Sequence, residues 1–406
     1  MLLSEKTELG SLISPVRNQY KPIYNWHSFK HSYSKELVDN LVGEFKIKKG
    51  AWVMDSFCGG GTTLLACKEA GINSSGFDIL PFSVFLSNVK TRNYNGQQLK
   101  EQREKFKTKT KITIDFPVFK DIPLAKKAFR PKVRAELIRI KETIESITEK
   151  KIKDFFNLGF LSILESVSNT SKAGGFLRIE NRYVDAKKIE SMYFDRIDSM
   201  ISDVGKFNDS YSHKNISVSA QHGDAREVSS DKKYSAIITS PPYPNRHDYT
   251  RIYSLEMLFD FVSTNDELKK IRYETLRSHV EARKKYEATG YEKTVSLKRL
   301  ITQIENNGTN NPQVIGMLEG YFEDMYLAIK EMGKKLEKKG KIALVVSNVR
   351  FAGINVPVDK LLAEAGEQAG LKTKAIWVAR YRGNSAQQMK TYKRKPSRES
   401  IVIWEK

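Results

Sequence analysis

Two short segments bring together residue types that can do chemistry. The first is Thr239-Ser240-Pro241-Pro242-Tyr243, which directly follows the apolar run Tyr-Ser-Ala-Ile-Ile. Two prolines cannot extend a strand ladder, so the chain must leave the sheet in a stiff, extended form. That exit places the Ser240 hydroxyl and neighbouring carbonyls at the carboxyl edge of a sheet, where ligands of open α/β folds bind. Tyr243 adds a flat apolar face with a polar tip. Hydrogen-bond acceptors so placed suit a conjugated amine, a poor nucleophile because its lone pair is delocalised. Accepting its N–H bonds draws the nitrogen toward tetrahedral geometry and frees that lone pair. Holding it in line with an electrophile supplies much of the remaining rate, with no covalent enzyme intermediate.

The second segment is the glycine turn Asp55–Thr63 (DSFCGGGTT), between a short apolar strand at 51–55 and a helix at 64–69. Glycines there let the backbone approach a ligand, and the helix start offers free N–H groups to a carboxylate or phosphate. Asp55 precedes the turn, Phe57 lies inside it, and Asp78 closes the next strand, 73–78. An acid in Asp78's place can accept hydrogen bonds from both hydroxyls of a ribose. The turn is not a P-loop, because no Gly-Lys-Ser/Thr follows. It is not G-x-G-x-x-G either, since Gly59, Gly60 and Gly61 are consecutive and Thr62 and Thr63 follow. A zwitterionic amino-acid end fits it better than a pyrophosphate. Plainer uses compete: Asp78 as a helix cap before LPFSVF, and Ser240–Tyr243 as a stiff turn with a surface tyrosine.

Strand, glycine turn, helix and acid-ended strand make one βαβ unit of a doubly wound sheet. After the helix at 81–94 the strand pattern stops. Between Gln97 and His213 the chain reads as helical and basic, with periodic stretches such as VRAELIRIKETIESI and a break at Gly174-Gly175. Strands resume at 215–221, 234–239, 341–347, 373–379 and 400–404, with a helix at 321–338. The expectation is an α/β core in two parts, 20–96 and 214–406, around a largely helical insertion at 97–213. A polar interruption near 263–315 divides the second part.

The chain has 406 residues and a formal charge of +21, from 69 Lys and Arg against 48 Asp and Glu. Such an excess points to a polyanionic partner, nucleic acid above all. No apolar run is long enough to span a membrane, and the N-terminus lacks the basic start and cleavage site of a signal peptide. Two cysteines, Cys58 and Cys67, offer no disulfide framework and no metal-ligand cluster, which suits a reducing cytoplasm.

Both segments resemble the motifs of the DNA amino-methyltransferases, which methylate cytosine N4 or adenine N6. Asp55–Thr63 is similar to their cofactor motif D-P-F-x-G-x-G-T-T, with Ser56 in place of the proline. Ser240-Pro241-Pro242-Tyr243 matches their catalytic tetrapeptide, in the serine form more typical of cytosine N4 enzymes. The resemblance implies a Rossmann-like class I methyltransferase core with a doubly wound, mostly parallel sheet. It implies S-adenosyl-L-methionine as cofactor, held by Asp55, Phe57, Gly59, Gly61, Thr62, Thr63 and Asp78. Lys30 and His31, in WHSFKHSYSKELV, match the segment that packs over the methionine end. Asp224, in HGDAR, matches the strand-end acid at the adenine. Ser240, Pro241, Pro242 and Tyr243 take the catalytic place, with Tyr243 stacking on a base flipped out of the duplex. Also implied are double-stranded DNA as partner, a cognate restriction endonuclease, and a prokaryotic, nucleoid-associated cytoplasmic setting. The resemblance does not extend to 97–213.

Three stretches concentrate the charge. Lys100–Lys153 has 17 basic and 8 acidic residues, Lys269–Arg299 has 10 and 4, and Lys372–Arg398 has 9 and none. Lysine and arginine on phosphates place a protein on DNA without reading sequence. Asn384, Gln387 and Gln388 are candidate readers of base edges. Residues 245–253 are expected to line the base pocket, with His247 and Asp248 not needed as an acid–base pair. Methylation at cytosine C5 is excluded, because it needs a cysteine nucleophile after proline and no proline precedes a cysteine. RNA or protein amino-methylation, and a catalytically silent DNA-binding relative, are the remaining rivals. An oxidoreductase would leave TSPPY unexplained.

Overall fold

The computed structural model describes residues 3–109, 118–210, 216–309, 311–383 and 395–406. In chain order the strands are β1 (Leu3–Glu5), β2 (Trp52–Asp55), β3 (Asn73–Asp78), β4 (Thr170–Ala173), β5 (Phe176–Ile179), β6 (Val218–His222), β7 (Tyr234–Thr239), β8 (Leu336–Ser347), β9 (Val349–Phe351), β10 (Ile354–Val356), β11 (Lys372–Arg382) and β12 (Ser397–Glu405). Eight of them form one sheet in the order β1-β11-β12-β8-β7-β2-β3-β6, and every neighbouring pair is parallel except the two made by β12. From β2 the chain winds outward through β3 to β6; from β7 it winds the other way to β8. Strands β2 and β7 lie side by side, with Val53 opposite Ala236 and Met54 opposite Ile237. That reversal is the switch point at which open α/β sheets bind ligands. The α/β expectation holds.

Alternation along these strands builds a core on each face. Val53, Ala236 and Ile238 pack with Leu37, Val38 and Leu41 of α1 (Lys35–Glu44) and with Ala66 of α2 (Thr62–Glu69). Met54 and Ile237 face the opposite way, in a second cluster with Met325, Ile329 and Leu362. Strands buried on both faces read as continuous apolar runs, which is why YSAIIT and KIALVVS were legible.

Beyond α3 (Pro81–Thr91) the chain forms α4 (Gly96–Lys105), α5 (Val118–Asp121), α6 (Pro123–Ala128), α7 (Pro131–Glu145), α8 (Lys150–Ile163) and α9 (Ile189–Ser210). Phe155, Phe156 and Phe160 of α8 and Tyr193 and Ile197 of α9 share one apolar cluster with Trp26 and with Phe82 and Leu86 of α3. The helical segment is therefore fused to the sheet layer through α3. It also holds two strands that its helical pattern hid: β4 and β5 form an antiparallel hairpin around Gly174-Gly175.

The rest of the chain adds α10 (Tyr249–Ile252), α11 (Ser254–Asp260), α12 (Asn265–Glu274), α13 (Val295–Asn306), α14 (Gln313–Lys335) and α15 (Val358–Gln368). Helix α14 starts earlier than the expected 321, just after Pro312, and β8 starts earlier than the expected 341. Strand β6 begins at Val218 rather than 215, and residue 215 lies outside the described residues. Strands β11 and β12 run past their apolar centres because antiparallel pairing continues between polar residues out to Arg382 and Ser397. Strand β1, ahead of residue 20, pairs with β11 and was too short to show a pattern. Among the described residues no helix is long and apolar enough to cross a membrane.

Candidate active site

The ends of the two switch-point strands are bonded to each other. Thr239 Oγ1, at the end of β7, donates to Asp55 Oδ1 at 2.6 Å, at the end of β2. The Phe57 N–H lies 3.2 Å from both oxygens, so the glycine turn starts from this clasp. Asp55 is buried. Burial pushes its carboxyl up to about 6, against the hydrogen bonds from Thr239, Thr63 and Phe57. The turn itself needs glycine at Gly59 (φ 45°) and Gly61 (φ 76°). The Phe29 ring lies over it: a Cβ on Gly59 or Gly60 would stand 2.9 or 2.8 Å from that side chain. Gly61 instead opens α2 against α3, where a Cβ would meet Ser87 Cα at 2.9 Å.

Beside the turn lies a cavity enclosing about 710 Å³ of empty space, open solvent at its mouth included, lined by Phe29, Phe57, Gly59, Asp78, Leu80 and Asp224 among others. Asp78 accepts from the Gly59 N–H through one oxygen and from the Leu80 N–H through the other, both at 2.9 Å. Its carboxyl also rises to about 6, chiefly from burial, with those two bonds opposing. Asp78 thus shapes the turn and lines the cavity at once. Ser56 lines the same wall, and its Oγ is buried with no hydrogen-bond partner among the described residues. An orphaned hydroxyl beside two buried carboxylates is a donor set that a polar ligand would complete. Asp224 is more committed. Arg226 grips both its oxygens, at 2.9 and 2.7 Å, and the Tyr286 hydroxyl adds a bond at 3.1 Å. Burial would raise the Asp224 carboxyl, but these bonds hold it below its ordinary value. Arg226 in turn reaches the fully buried Asp324, which also binds Arg277. This chain fixes the segment holding Thr275, Leu276, Ser278 and His279, which forms the far wall.

A second, polar chamber with about 1610 Å³ of empty space, open solvent included, opens on the other side of the tetrapeptide, lined by Pro241, Tyr243, His247, Val345, Arg380 and Arg382 among others. Ser240, His31 and Tyr249 line both spaces. The prolines divide between them, Pro242 on the cavity side and Pro241 on the chamber side. Ser240 Oγ donates to the Val345 carbonyl at 3.0 Å and lies 3.2 Å from the Tyr243 hydroxyl. With its own proton given to Val345, Ser240 receives the Tyr243 proton and keeps a lone pair for a ligand. Burial pushes the Tyr243 phenol up to about 12, so that proton stays. His31 packs edge-on to both His247 and Tyr249, at 5.5 and 5.0 Å. Burial, with His247 and Lys30 adding to it, lowers His31 to about 3, so the ring is neutral.

Most of the expected residues converge here, and some do not. Ser240, Pro242, His31, Phe57, Gly59, Asp78 and Asp224 line the 710 Å³ cavity. Asp55 and Thr62 line a small recess of about 240 Å³ with Phe57, Gly59, Gly60 and Ser240. Thr63 is buried, bonded to the Tyr33 hydroxyl at 2.5 Å. Lys30 donates to the Lys172 carbonyl of the β4–β5 hairpin at 3.0 Å and lies 3.7 Å from Glu165, which precedes that hairpin. Asp248 caps α10 and pairs with Arg272 at 2.7 Å, so its carboxylate is spoken for. Asn384, Gln387 and Gln388 lie outside the described residues. Phe29 went unnoticed as a site residue, whereas Tyr249 belongs to the 245–253 stretch expected to line the base pocket and Gly60 to the glycine turn. Phe29 sits next to Lys30 in the segment already singled out, and an aromatic is the natural cover for three glycines.

No family model matches the chain. Relatives do. The type II methyltransferase M.BsoBI of Geobacillus stearothermophilus is 30% identical over 99% of this chain and 89% of its own length. The type II methyltransferase M.AvaI of Nostoc sp. is 29% identical over 97% and 89%. Solved structures resemble it only slightly: TrmN from Thermus thermophilus aligns with TM-score 0.30 and 9% identity, over 92% of this chain and 48% of that one, too faint to carry an argument. Near-complete alignment at this identity, on a switch-point site of this kind, settles the family: the chain belongs to the type II DNA methyltransferases, and its methyl donor is S-adenosylmethionine.

Proposed function

We propose that the chain methylates the exocyclic N4 of a cytosine flipped out of double-stranded DNA. The observation that carries this reading is the place of Ser240. It lines both the cavity beside the glycine turn and the chamber beyond it, with its proton already committed to Val345. Its free lone pair accepts an amino N–H and thereby localises the nitrogen lone pair. The tetrapeptide's serine form supports cytosine over adenine.

The donor sits in the 710 Å³ cavity and the recess next to it. Asp55, Gly59, Gly60 and Thr62 hold the methionine end, Asp78 the ribose hydroxyls, and Asp224 with Leu80 the adenine. When bound there, the cofactor supplies an electrophilic methyl sulfonium. The protein's own part is to hold the amine in line with that methyl group, keep water out with Phe29 and Tyr249, and stack the base on Tyr243. The amine's surplus proton leaves to solvent through the open chamber. Arg380 and Arg382 line that chamber, and the basic segment 97–213 sends its hairpin tip to the same place, Gly174 forming part of the wall. These are the surfaces we assign to the DNA backbone and to target recognition. A cognate restriction endonuclease is the companion this reading expects.

The test is to incubate the protein with methyl-labelled cofactor and unmethylated duplex DNA, digest to nucleosides, and identify the labelled one. N4-methylcytosine is the expected product. N6-methyladenine would overturn the choice of base, and label in RNA alone would overturn DNA as substrate.

A further inference from the structure

The second chamber holds a group that the mechanism above does not use. His247 lies four residues past Tyr243 in the segment that leaves the sheet, and its ring is fixed on three sides. Its backbone N–H donates to Asn245 Oδ1 at 3.1 Å, which sets the orientation of that amide. The Asn245 Nδ2 then faces His247 Nδ1 at 3.3 Å. An amide NH₂ only donates, so Nδ1 is the acceptor of that pair. On the opposite edge Gly175 closes in: a Cβ there would stand 2.8 Å from the ring Cδ2, so only glycine fits against it. The His31 ring packs edge-on at 5.5 Å.

This arrangement settles the ring's protonation. Burial, aided by the charge of Arg382, keeps His247 below its ordinary value, so the imidazole is neutral. With Nδ1 accepting, the single ring proton belongs on Nε2. Among the described residues no hydrogen bond uses Nε2, and the atom is not among the buried unpartnered ones. It is an accessible donor on the wall of the chamber that also presents the acceptor Ser240.

An acceptor and a donor on the walls of one chamber can meet one edge of a base. In both cytosine and adenine the amino-bearing carbon is flanked by an unprotonated ring nitrogen. Ser240 meets the amino group; we propose that His247 donates a hydrogen bond from Nε2 to the ring nitrogen beside that amino group. This rests on the amino-transfer reading of the site. The bond orients the base rather than activating it, since density drawn toward the ring nitrogen comes from the same lone pair that attacks. An uncharged donor suits the task, because an imidazolium would draw more strongly. Thymine, which has no amino group and a protonated ring nitrogen, meets this pair wrongly at both atoms.

The test removes each partner of the bond in turn. Oligonucleotide duplexes carry the target base, identified by product analysis, either unaltered or with the flanking ring nitrogen replaced by C–H: 3-deazacytosine, or 1-deazaadenine if the product is N6-methyladenine. Wild-type protein should lose roughly tenfold in kcat/KM on the deaza duplex, the usual scale of one neutral hydrogen bond. The loss should fall mainly on KM. His247→Ala should show a similar loss on the unaltered duplex and little further loss on the deaza duplex. His247→Gln, which restores a donor, should recover part of it. Cofactor affinity, measured separately, should be unchanged in both variants, which shows that they are folded. Additive losses, or a His247→Ala protein that is unimpaired, would overturn the assignment. If wild-type protein puts no label on the amino group of the unaltered duplex, the underlying reading fails and this inference goes with it.

Discussion

The Phe29 and Tyr253 rings lie face to face, with centroids 4.5 Å apart and planes 7° from parallel. The other side of Phe29 covers Gly59 and Gly60. One aromatic pair thus joins the glycine turn to the junction of α10 and α11, beyond the Ser240–Tyr243 tetrapeptide. Replacing Gly60 by alanine drives a Cβ to 2.8 Å from Phe29 Cβ. We expect Gly60→Ala to weaken cofactor binding at least tenfold, as seen by calorimetric titration, with modest effect on the melting temperature. Phe29→Ala should cost stability too, about 3 kcal/mol or more, as usual for a buried phenylalanine.

Cofactor binding should depend on pH through Asp55 and Asp78. Both carboxyls titrate near 6 in the folded protein, above the ordinary 3.8. A raised folded pKa means that the folded state holds the proton more tightly than the unfolded chain. These groups therefore oppose folding when ionised, and that cost is relieved as pH falls through about 6 toward 4. Each is worth up to roughly 3 kcal/mol. Binding needs the ionised forms, so affinity should fall as the pH drops below about 6 while the free protein gains stability from these two groups. Titrations at several pH values, with Asp78→Asn showing a shallower dependence, check this.

A buried ionic cluster stands behind the junction. Glu256 of α11 pairs with Lys172 of the β4–β5 hairpin and, at 2.9 Å, with His27; all three side chains are nearly inaccessible. Burial lowers His27 to about 4, so it is neutral and Lys172 carries the charge. Burial would raise Glu256, but Lys172 and the His27 hydrogen bond outweigh it and bring the carboxyl to about 2. Its folded pKa is depressed, so its stabilising contribution is present above about 4.5 and is lost as pH falls toward 2. Lys172→Met, which strands the carboxylate, should cost about 3–5 kcal/mol in denaturant unfolding. The pair Lys172→Met with Glu256→Leu should cost less than that single change.

Much of this site was legible because its residues are close in sequence. The strand Asn73–Asp78 was placed to the residue, and the turn, its acid and the tetrapeptide announced themselves through glycine and proline. What sequence could not show was contact across distance. The Thr239–Asp55 bond joins two motifs that looked independent, and the Phe29–Tyr253 stack joins residues far apart in sequence, on either side of the helical segment. Lys30 and His31 are legible through the match of their segment to the family's; His31 lines the cavity, and Lys30 donates to the Lys172 carbonyl of the hairpin, a partner that no local pattern shows. That hairpin was itself hidden inside a helical pattern, since four-residue strands show too little alternation to be read.

Arg382 lines the second chamber, with most of its side chain exposed and a 3.4 Å contact to Glu399. If it meets a phosphate, Arg382→Ala should weaken DNA binding about equally for all sequences. It should also reduce the slope of log affinity against log salt by about one. Fluorescence anisotropy across a salt series measures both.

The central claim is that Ser240 acts on the amine and not on the cofactor. The most direct measurement is single-turnover methyl transfer to DNA by wild-type protein and by Ser240→Ala, with cofactor affinity determined on the same preparations. The expected result is a rate lower by about a hundredfold or more, with cofactor affinity within about twofold of wild type. A Ser240→Ala protein that transfers methyl groups at nearly the wild-type rate would contradict it.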